Sequence, residues 1–147
     1  MAAMASPPGT HAIAVQLRRA YATRDLTLLG PLLADDVRWG DADHPRGCRN
    51  RADVLRTYAN IMGEGADGDV TEMTEGSEGI LCGLSVHWPE GAQRGRPGPL
   101  YHVYLVREGK IAEIRPFDDR ARAAVSAGVE PGEPGEPGGI VRRVHGA

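Results

Sequence analysis

Residues 100–117, LYHVYLVREGKIAEIRPF, carry a clear structural signal. Two runs rich in branched and aromatic residues, Leu100–Val106 and Ile111–Phe117, flank the polar stretch Arg107–Lys110. The glycine in this short connection supplies the positive φ that tight hairpin turns require. The stretch therefore predicts a β-hairpin near the end of the chain.

Working back from the hairpin, further strands are indicated. The segment Ile80–Trp88 alternates apolar and small or polar residues with the period of two that is typical of a strand. A weaker strand signal covers Val70–Glu75, and the Gly-containing stretch Glu75–Gly79 between them is typical of a turn. The second half of the chain therefore predicts a run of antiparallel strands.

The first half reads mainly as helix. Thr10 is predicted to cap a helix, and its apolar face recurs at helical spacing through Ile13, Leu17, Ala20 and Tyr21. A leucine stripe follows, but Gly30–Pro31 interrupts it because proline has no amide hydrogen to donate inside a helix. We expect a bend or a short helix beginning at Pro31.

A strand and another helix complete the first half. Val37, Trp39 and Asp41 alternate with polar or small residues, which predicts a strand with one inward face. Residues 42–49 are predicted to form a loop, and Asn50 is predicted to cap the next helix. That helix has one apolar side, made of Val54, Leu55, Tyr58, Ile61 and Met62.

This order of elements predicts an α+β fold in which a strongly curved, mostly antiparallel sheet wraps around the N-terminal helices. The concave face of such a sheet must be filled by side chains or by a ligand. We expect residues 1–9 to form a flexible arm and residues 10–128 to form the domain. The Glu-Pro-Gly repeats within 129–147 predict a disordered tail, since they lack apolar mass.

Composition excludes several classes of function. The 147 residues carry a formal net charge of -3, which argues against a nucleic-acid role. No apolar run has the length of a membrane span, and no secretory signal is recognisable, so a cytoplasmic location with Cys48 and Cys82 reduced is expected. The abundance of Gly, Pro, Arg and Ala suggests a bacterial source.

Several motifs together resemble the SnoaL-like domains of the nuclear transport factor 2-like superfamily. The segments that carry the resemblance, in chain order, are 21–26, 32–39, 48–55, 106–111 and 114–120. Asn50 departs from the pattern, which more often has glycine there. The resemblance implies a cone-shaped barrel with a deep apolar pocket, usually in a homodimer. It implies no single activity, because the family includes polyketide cyclases, ketosteroid isomerases, hydrolases, dehydratases and binding proteins.

Resemblance to the ketosteroid isomerases implies a candidate catalytic pair. Asp41 falls at the position of the general base, and His102 falls at or next to that of a carboxyl that donates to the oxyanion. Leu17 stands where those enzymes have a donor tyrosine. Burial beside Val37 and Trp39 would raise the pKa of Asp41, which suits acid–base chemistry near neutral pH.

Further residues are candidates for contact with the substrate. The predicted ligand contacts are Leu17, Val37, Trp39, Tyr58, Tyr104, Arg115 and Phe117. Plainer interpretations stay open: Asp41 is equally compatible with a turn, His102 with a structural histidine, and Arg115 with an exposed strand residue. The histidines are scattered and no nucleotide-binding motif is present, so neither a metal nor a cofactor is expected.

Three hypotheses follow from these patterns. The first is an isomerase, cyclase or hydrolase that needs no cofactor and acts on a small apolar or cyclic molecule through a pocket carboxylate. The second is a non-catalytic ligand-binding or accessory protein with the same pocket. The third is an interaction domain whose open sheet face pairs with itself or with another chain.

Overall fold

The computed structural model describes residues 6–40, 49–90 and 98–130. Its helices are α1 (Thr10–Thr23), α2 (Arg51–Gly63) and α3 (Arg120–Ala127), with a short 3-10 turn at Gly30–Leu32. Its strands are β1 (Leu33–Trp39), β2 (Asp67–Glu75), β3 (Gly79–His87), β4 (Gly98–Arg107) and β5 (Lys110–Phe117).

These strands form one sheet in the order β1-β5-β4-β3-β2. Three of the four pairings are antiparallel, and β1 alone runs parallel to its neighbour β5. The sheet is open, and α1 and α2 lie against its concave face. The predicted α+β class, with a mostly antiparallel sheet around the N-terminal helices, is confirmed.

The β4–β5 hairpin that the sequence predicts is present. Arg107 pairs with Lys110, and the two residues between them, Glu108 and Gly109, have φ angles of 53° and 74°. Two consecutive residues with positive φ define the hairpin turn whose twist matches that of the strands. The turn therefore fixes which residues of β4 and β5 share a face.

The helix ends show which cap predictions hold. The side chain of Asn50 accepts a hydrogen bond from the amide of Asp53 at 2.8 Å, as predicted for the start of α2. The predicted cap at Thr10 is wrong: Gly9 precedes α1, and the Thr10 hydroxyl instead donates to the Pro7 carbonyl oxygen at 2.6 Å. Pro31 limits the leucine stripe to a single 3-10 turn.

The two faces of the sheet carry separate apolar clusters. Along β4, His102 and Tyr104 point to the concave side, whereas Val103 and Leu105 point to the opposite side, which we call the back face. The back face is covered by α3 through its alanines Ala123, Ala124 and Ala127. Side chains of alternate residues in a strand therefore serve different surfaces.

Helix α3 is fixed to the back face at both ends. At its start, Arg120 donates two hydrogen bonds to the buried carboxylate of Glu72, at 2.8 and 2.7 Å. At its end, the amide of Ser77 donates to the Gly128 carbonyl oxygen at 3.1 Å. A Cβ atom on Gly76 would lie 2.2 Å from the Ala127 carbonyl oxygen, so this approach requires glycine.

Three sequence predictions concern segments at the margins of the described residues. Most of the predicted arm and tail, residues 1–5 and 131–147, lie outside them, as does Cys48. At the start of the predicted tail, Val129 is buried against α3 and its amide donates to the Ala124 carbonyl oxygen at 2.9 Å.

Cys82 is a free, buried thiol. None of the described helices is long and apolar enough to cross a bilayer.

A candidate ligand-binding cavity

A cavity of about 600 Å³ lies between the concave face of the sheet and helices α1 and α2. This volume is in the range of pockets that bury small organic molecules. Most of its lining is aliphatic or aromatic. The lining residues that the argument below uses are Leu17, Ala20, Tyr21, Arg24, Trp39, Tyr58, Asp67, His102 and Asp118.

Aromatic rings form one wall of this cavity. Trp39, the last residue of β1, stacks on Tyr58 of α2 with ring centroids 4.8 Å apart and an interplanar angle of 28°. Its indole also meets the ring of His102 edge-on at 5.5 Å. Offset stacked and edge-on contacts are favourable geometries for aromatic pairs. The wall is therefore a fixed, flat surface suited to a planar apolar molecule.

Three tyrosine hydroxyls meet beside this wall. The Tyr104 oxygen lies 2.6 Å from that of Tyr21 and 3.0 Å from that of Tyr58, and the Tyr21 and Tyr58 oxygens are 3.2 Å apart. Burial raises the pKa of Tyr21 and of Tyr104, so both phenols keep their protons. Tyr21 and Tyr58 line the cavity, whereas Tyr104 is fully buried behind them.

The three hydroxyls can bond one another, or one of them can turn its O–H to a ligand. Each hydroxyl has one proton to donate and two lone pairs to accept. The three oxygens can therefore donate around a closed ring, or two bonds can be kept while one O–H turns to a bound acceptor. Because Tyr21 and Tyr58 line the cavity, they are the two hydroxyls able to do this.

His102 is the most buried titratable residue in the described lining. The residue is 5% exposed, and desolvation lowers its pKa to about 4. The ring is therefore neutral near pH 7, with one nitrogen donating and the other accepting. Its Nδ1 atom is buried and has no hydrogen-bond partner among the described residues.

The mouth of the cavity is polar. Arg24 follows α1 in the left-handed backbone region, with φ 58°, and its guanidinium donates to the Ala66 carbonyl oxygen at 2.8 Å. The same guanidinium lies 3.0 Å from the Asp67 carboxylate. Asp118, just after β5, adds an exposed carboxylate to the rim.

The structure brings together four of the residues that the sequence nominated. Leu17, Trp39, Tyr58 and His102 all line the cavity. Tyr104 is next to it, in contact with Tyr58, but lies behind the lining. Asp41, the candidate base, lies outside the described residues, and its placement stays a prediction.

Three nominated residues lie elsewhere, and their positions correct the predicted set of ligand contacts. Val37 is fully buried in the apolar cluster and is not among the residues that line the cavity. Arg115 and Phe117 pair with Val103 and Tyr101, which places both on the back face. There, Arg115 donates to Glu113 at 2.9 Å. The reason is register: a residue one position along β5 belongs to the other face.

Sequence reasoning gave no functional role to Tyr21, Arg24 or Asp67. Tyr21 does lie on the predicted apolar face of α1, four residues after Leu17, so helical periodicity could have paired the two. Arg24 and Asp67 are brought together by the fold alone, and no local pattern could have linked them. The described residues contain no group of three or more His, Cys, Asp or Glu side chains arranged to hold a metal ion.

The family of the chain is established by sequence. Residues 14–114 match the family model of the SnoaL-like domain, and the chain belongs to this family. The resemblance found in the motifs is thereby confirmed. No curated protein matches the chain.

Solved structures share the fold at low sequence identity. A protein from Kribbella flavida assigned as a ketosteroid isomerase has a TM-score of 0.62 and 19% identity, with 90% of this chain and 86% of that chain covered. A protein from Sinorhizobium meliloti assigned as a polyketide cyclase has a TM-score of 0.58 and 19% identity, covering 72% and 94%. TerC, co-crystallised with polyporic acid, has a TM-score of 0.56 and 14% identity, covering 79% and 95%.

The family match shows a SnoaL-like domain and specifies no activity. At these identities the structural likeness shows the fold alone. The activity must therefore be argued from the cavity of this chain.

Proposed function

We propose that this protein binds a small apolar carbonyl compound in the cavity and catalyses proton transfer at the carbon next to the carbonyl. The observation that supports the proposal is the placement of neutral hydrogen-bond donors, the tyrosine cluster and His102, on the lining of an otherwise apolar cavity. Such donors stabilise the negative charge that develops on a carbonyl oxygen during enolisation.

The donors suit this role because they are neutral before the reaction. Tyr21 and Tyr58 can each turn an O–H toward a carbonyl oxygen, and neutral His102 can present an N–H. Against the apolar lining, a hydrogen bond to a developing oxyanion is worth more than in bulk water. Trp39 provides a flat surface against which the substrate ring is held.

Asp41 is the proposed base, two residues after Trp39. Its carboxylate would take a proton from the α-carbon, and the electron pair of the C–H bond would move to the carbonyl oxygen. Return of the proton to the same or another carbon would then give exchange, isomerisation or ring closure, depending on the substrate. No metal or cofactor is required for this chemistry.

Hydrogen–deuterium exchange of 1-tetralone in D₂O tests this proposal. This bicyclic ketone carries exchangeable hydrogens beside its carbonyl group, and mass spectrometry measures their replacement. We expect the wild-type protein to accelerate exchange over buffer and Asp41→Asn to lose at least about a hundredfold of that rate. The matched control is Asp43→Asn, the same change two residues further along.

Two further results distinguish the role of Asp41 as the base from the role of His102 as an oxyanion donor. An Asp41→Asn rate equal to that of wild type would remove Asp41 from the mechanism. Replacing His102 by phenylalanine should lower the exchange rate while Asp41 is intact, because one oxyanion donor is lost. Replacing the exposed His87 by phenylalanine should leave the rate unchanged.

The second candidate function is ligand binding without catalysis. It is favoured by the closed contact of the three tyrosine hydroxyls, which can satisfy one another and need not turn toward a ligand. A ketone that raises the melting temperature of both wild type and Asp41→Asn, with no deuterium exchange in either, would support this function over the first.

A further inference from the structure

The cavity contains a cation whose charge is already compensated. Among the described residues that line it, Arg24 is the single arginine or lysine. Its guanidinium is 3.0 Å from the carboxylate of Asp67, which also lines the cavity. A further hydrogen bond to the Ala66 carbonyl oxygen, at 2.8 Å, keeps the guanidinium at the rim.

The remaining charge in the described lining is negative or absent. Asp118, an exposed residue just after β5, adds a second carboxylate to the lining. His102, deeper in the cavity, is buried and faces Trp39 and Tyr104 rather than a carboxylate. One cation and two carboxylates therefore leave the described lining with a net negative charge.

We infer that Asp67 is a specificity determinant: by pairing with Arg24 at the mouth, it makes the cavity select uncharged ligands over carboxylates of the same shape. This inference rests on the proposed function and narrows its substrate class. The preferred ligand is a neutral, flat, apolar molecule with a carbonyl or hydroxyl group, and the corresponding acid is rejected.

The physical reason is desolvation without compensation. A carboxylate moved from water into an apolar cavity loses its hydration, which is tolerated only where a cation or several donors replace it. A ligand carboxylate that approached Arg24 would also approach Asp67, and the two opposite charges largely cancel. A neutral ketone loses little hydration and can accept from the tyrosine cluster or His102.

Exposure at the rim does not remove the effect. The side chains of Arg24 and Asp67 are 45% and 53% exposed, so the pair itself contributes little to the stability of the fold. The pair can still affect which ligand binds. A ligand carboxylate would have to compete for Arg24 with the Asp67 carboxylate, which is always beside it.

Two probes of matched shape test this inference. We would measure the dissociation constants of 2-acetonaphthone, a neutral ketone, and 2-naphthoate, an anion, by calorimetry on the full chain at pH 7. We expect naphthoate to bind wild type at least about tenfold more weakly than the ketone, because its charge is desolvated without a free cation.

The decisive variant is Asp67→Asn, which keeps the size of the side chain and removes its charge. It should raise naphthoate affinity roughly three- to tenfold while changing ketone affinity by less than about twofold. Asp69→Asn is the matched control on the same strand, since Asp69 does not line the cavity and should leave both affinities unchanged.

The outcomes distinguish this inference from the proposed function. Equal binding of both probes to wild type, or no gain of naphthoate affinity in Asp67→Asn, would overturn the role of Asp67 while the cavity keeps its function. No binding of either probe by wild type would overturn both. Weaker naphthoate binding, restored only by Asp67→Asn and not by Asp69→Asn, supports the inference.

Discussion

The hydroxyl oxygen of Tyr104 on β4 lies 2.6 Å from that of Tyr21 on α1, and this contact joins the centre of the sheet to the first helix. Tyr104 is fully buried, so its hydroxyl has no water to replace either tyrosine partner. Removing the hydroxyl takes away the two shorter contacts of the cluster and leaves the 3.2 Å contact between Tyr21 and Tyr58.

Tyr104→Phe should therefore lower the free energy of unfolding by about 1–2 kcal/mol, because a buried hydroxyl and its hydrogen bonds are lost. Urea denaturation measures the difference. The control is Tyr101→Phe. Tyr101 is half-buried on the back face of the same strand, so its change should alter stability by less. Equal effects of the two variants would contradict a special contribution from the tyrosine cluster.

His102 should make stability depend on pH in a defined window. Its pKa is about 4 in the folded protein, against 6.5 for an unperturbed histidine. Between these values the unfolded chain binds a proton that the folded chain does not, so the free energy of unfolding falls as pH decreases from about 6.5 to about 4. The full loss is about 3 kcal/mol.

Comparison with a variant isolates this contribution from that of the carboxylates. In His102→Gln the dependence on pH across the window should be shallower than in wild type, as measured by urea denaturation at a series of pH values. His87→Gln, at an exposed position, should keep the wild-type slope. A slope in His102→Gln identical to that of wild type would show that His102 titrates normally.

Among the ion pairs of the described residues, that of Glu72 with Arg120 should contribute most to stability. The Glu72 side chain is 3% exposed and Arg120, its partner, is 19% exposed. Glu72→Ala leaves this guanidinium without its carboxylate in a largely buried site, which should cost about 3 kcal/mol in urea denaturation. Glu113→Ala, in the more exposed pair with Arg115, should cost less than about 1 kcal/mol. Similar costs for both would contradict the prediction.

Ala20 controls the space in the cavity. It lies on the face of α1 that lines the cavity, so Ala20→Leu should place three further carbon atoms in the ligand volume. We expect affinity for 2-acetonaphthone to fall at least about tenfold with the fold retained, by calorimetry and circular dichroism. Ala121→Leu, on the exposed surface of α3, should bind the ketone as wild type does.

Much of the fold could be predicted because its signals are local. Period-two alternation located β3, and the turn containing Gly109 located the β4–β5 hairpin within one or two residues. Asn50 gave the start of α2. Pro31 likewise gave the interruption of the leucine stripe, which the structure limits to a 3-10 turn at Gly30–Leu32.

The site could be predicted only in part, because it depends on contacts between distant segments. Trp39 and Tyr58 were nominated separately, and the sequence contains nothing that requires them to stack. Arg115 and Phe117 were assigned to the cavity because the sheet register, which decides the face, was not readable. The partnership of Arg24 with Asp67 likewise arises only when the end of α1 meets the start of β2.

The parallel pairing of β1 with β5 joins two segments that are synthesised at different times. Trp39 is aligned with Ile114, and the Gly40 amide donates to the Ile114 carbonyl oxygen at 3.1 Å. During synthesis, the segment that leads into Asp41 therefore emerges long before the strand that supports it. Closing so large a loop is slow, since its entropy must be lost before the contact forms. We expect a nascent chain stopped before Lys110 to lack the aromatic wall.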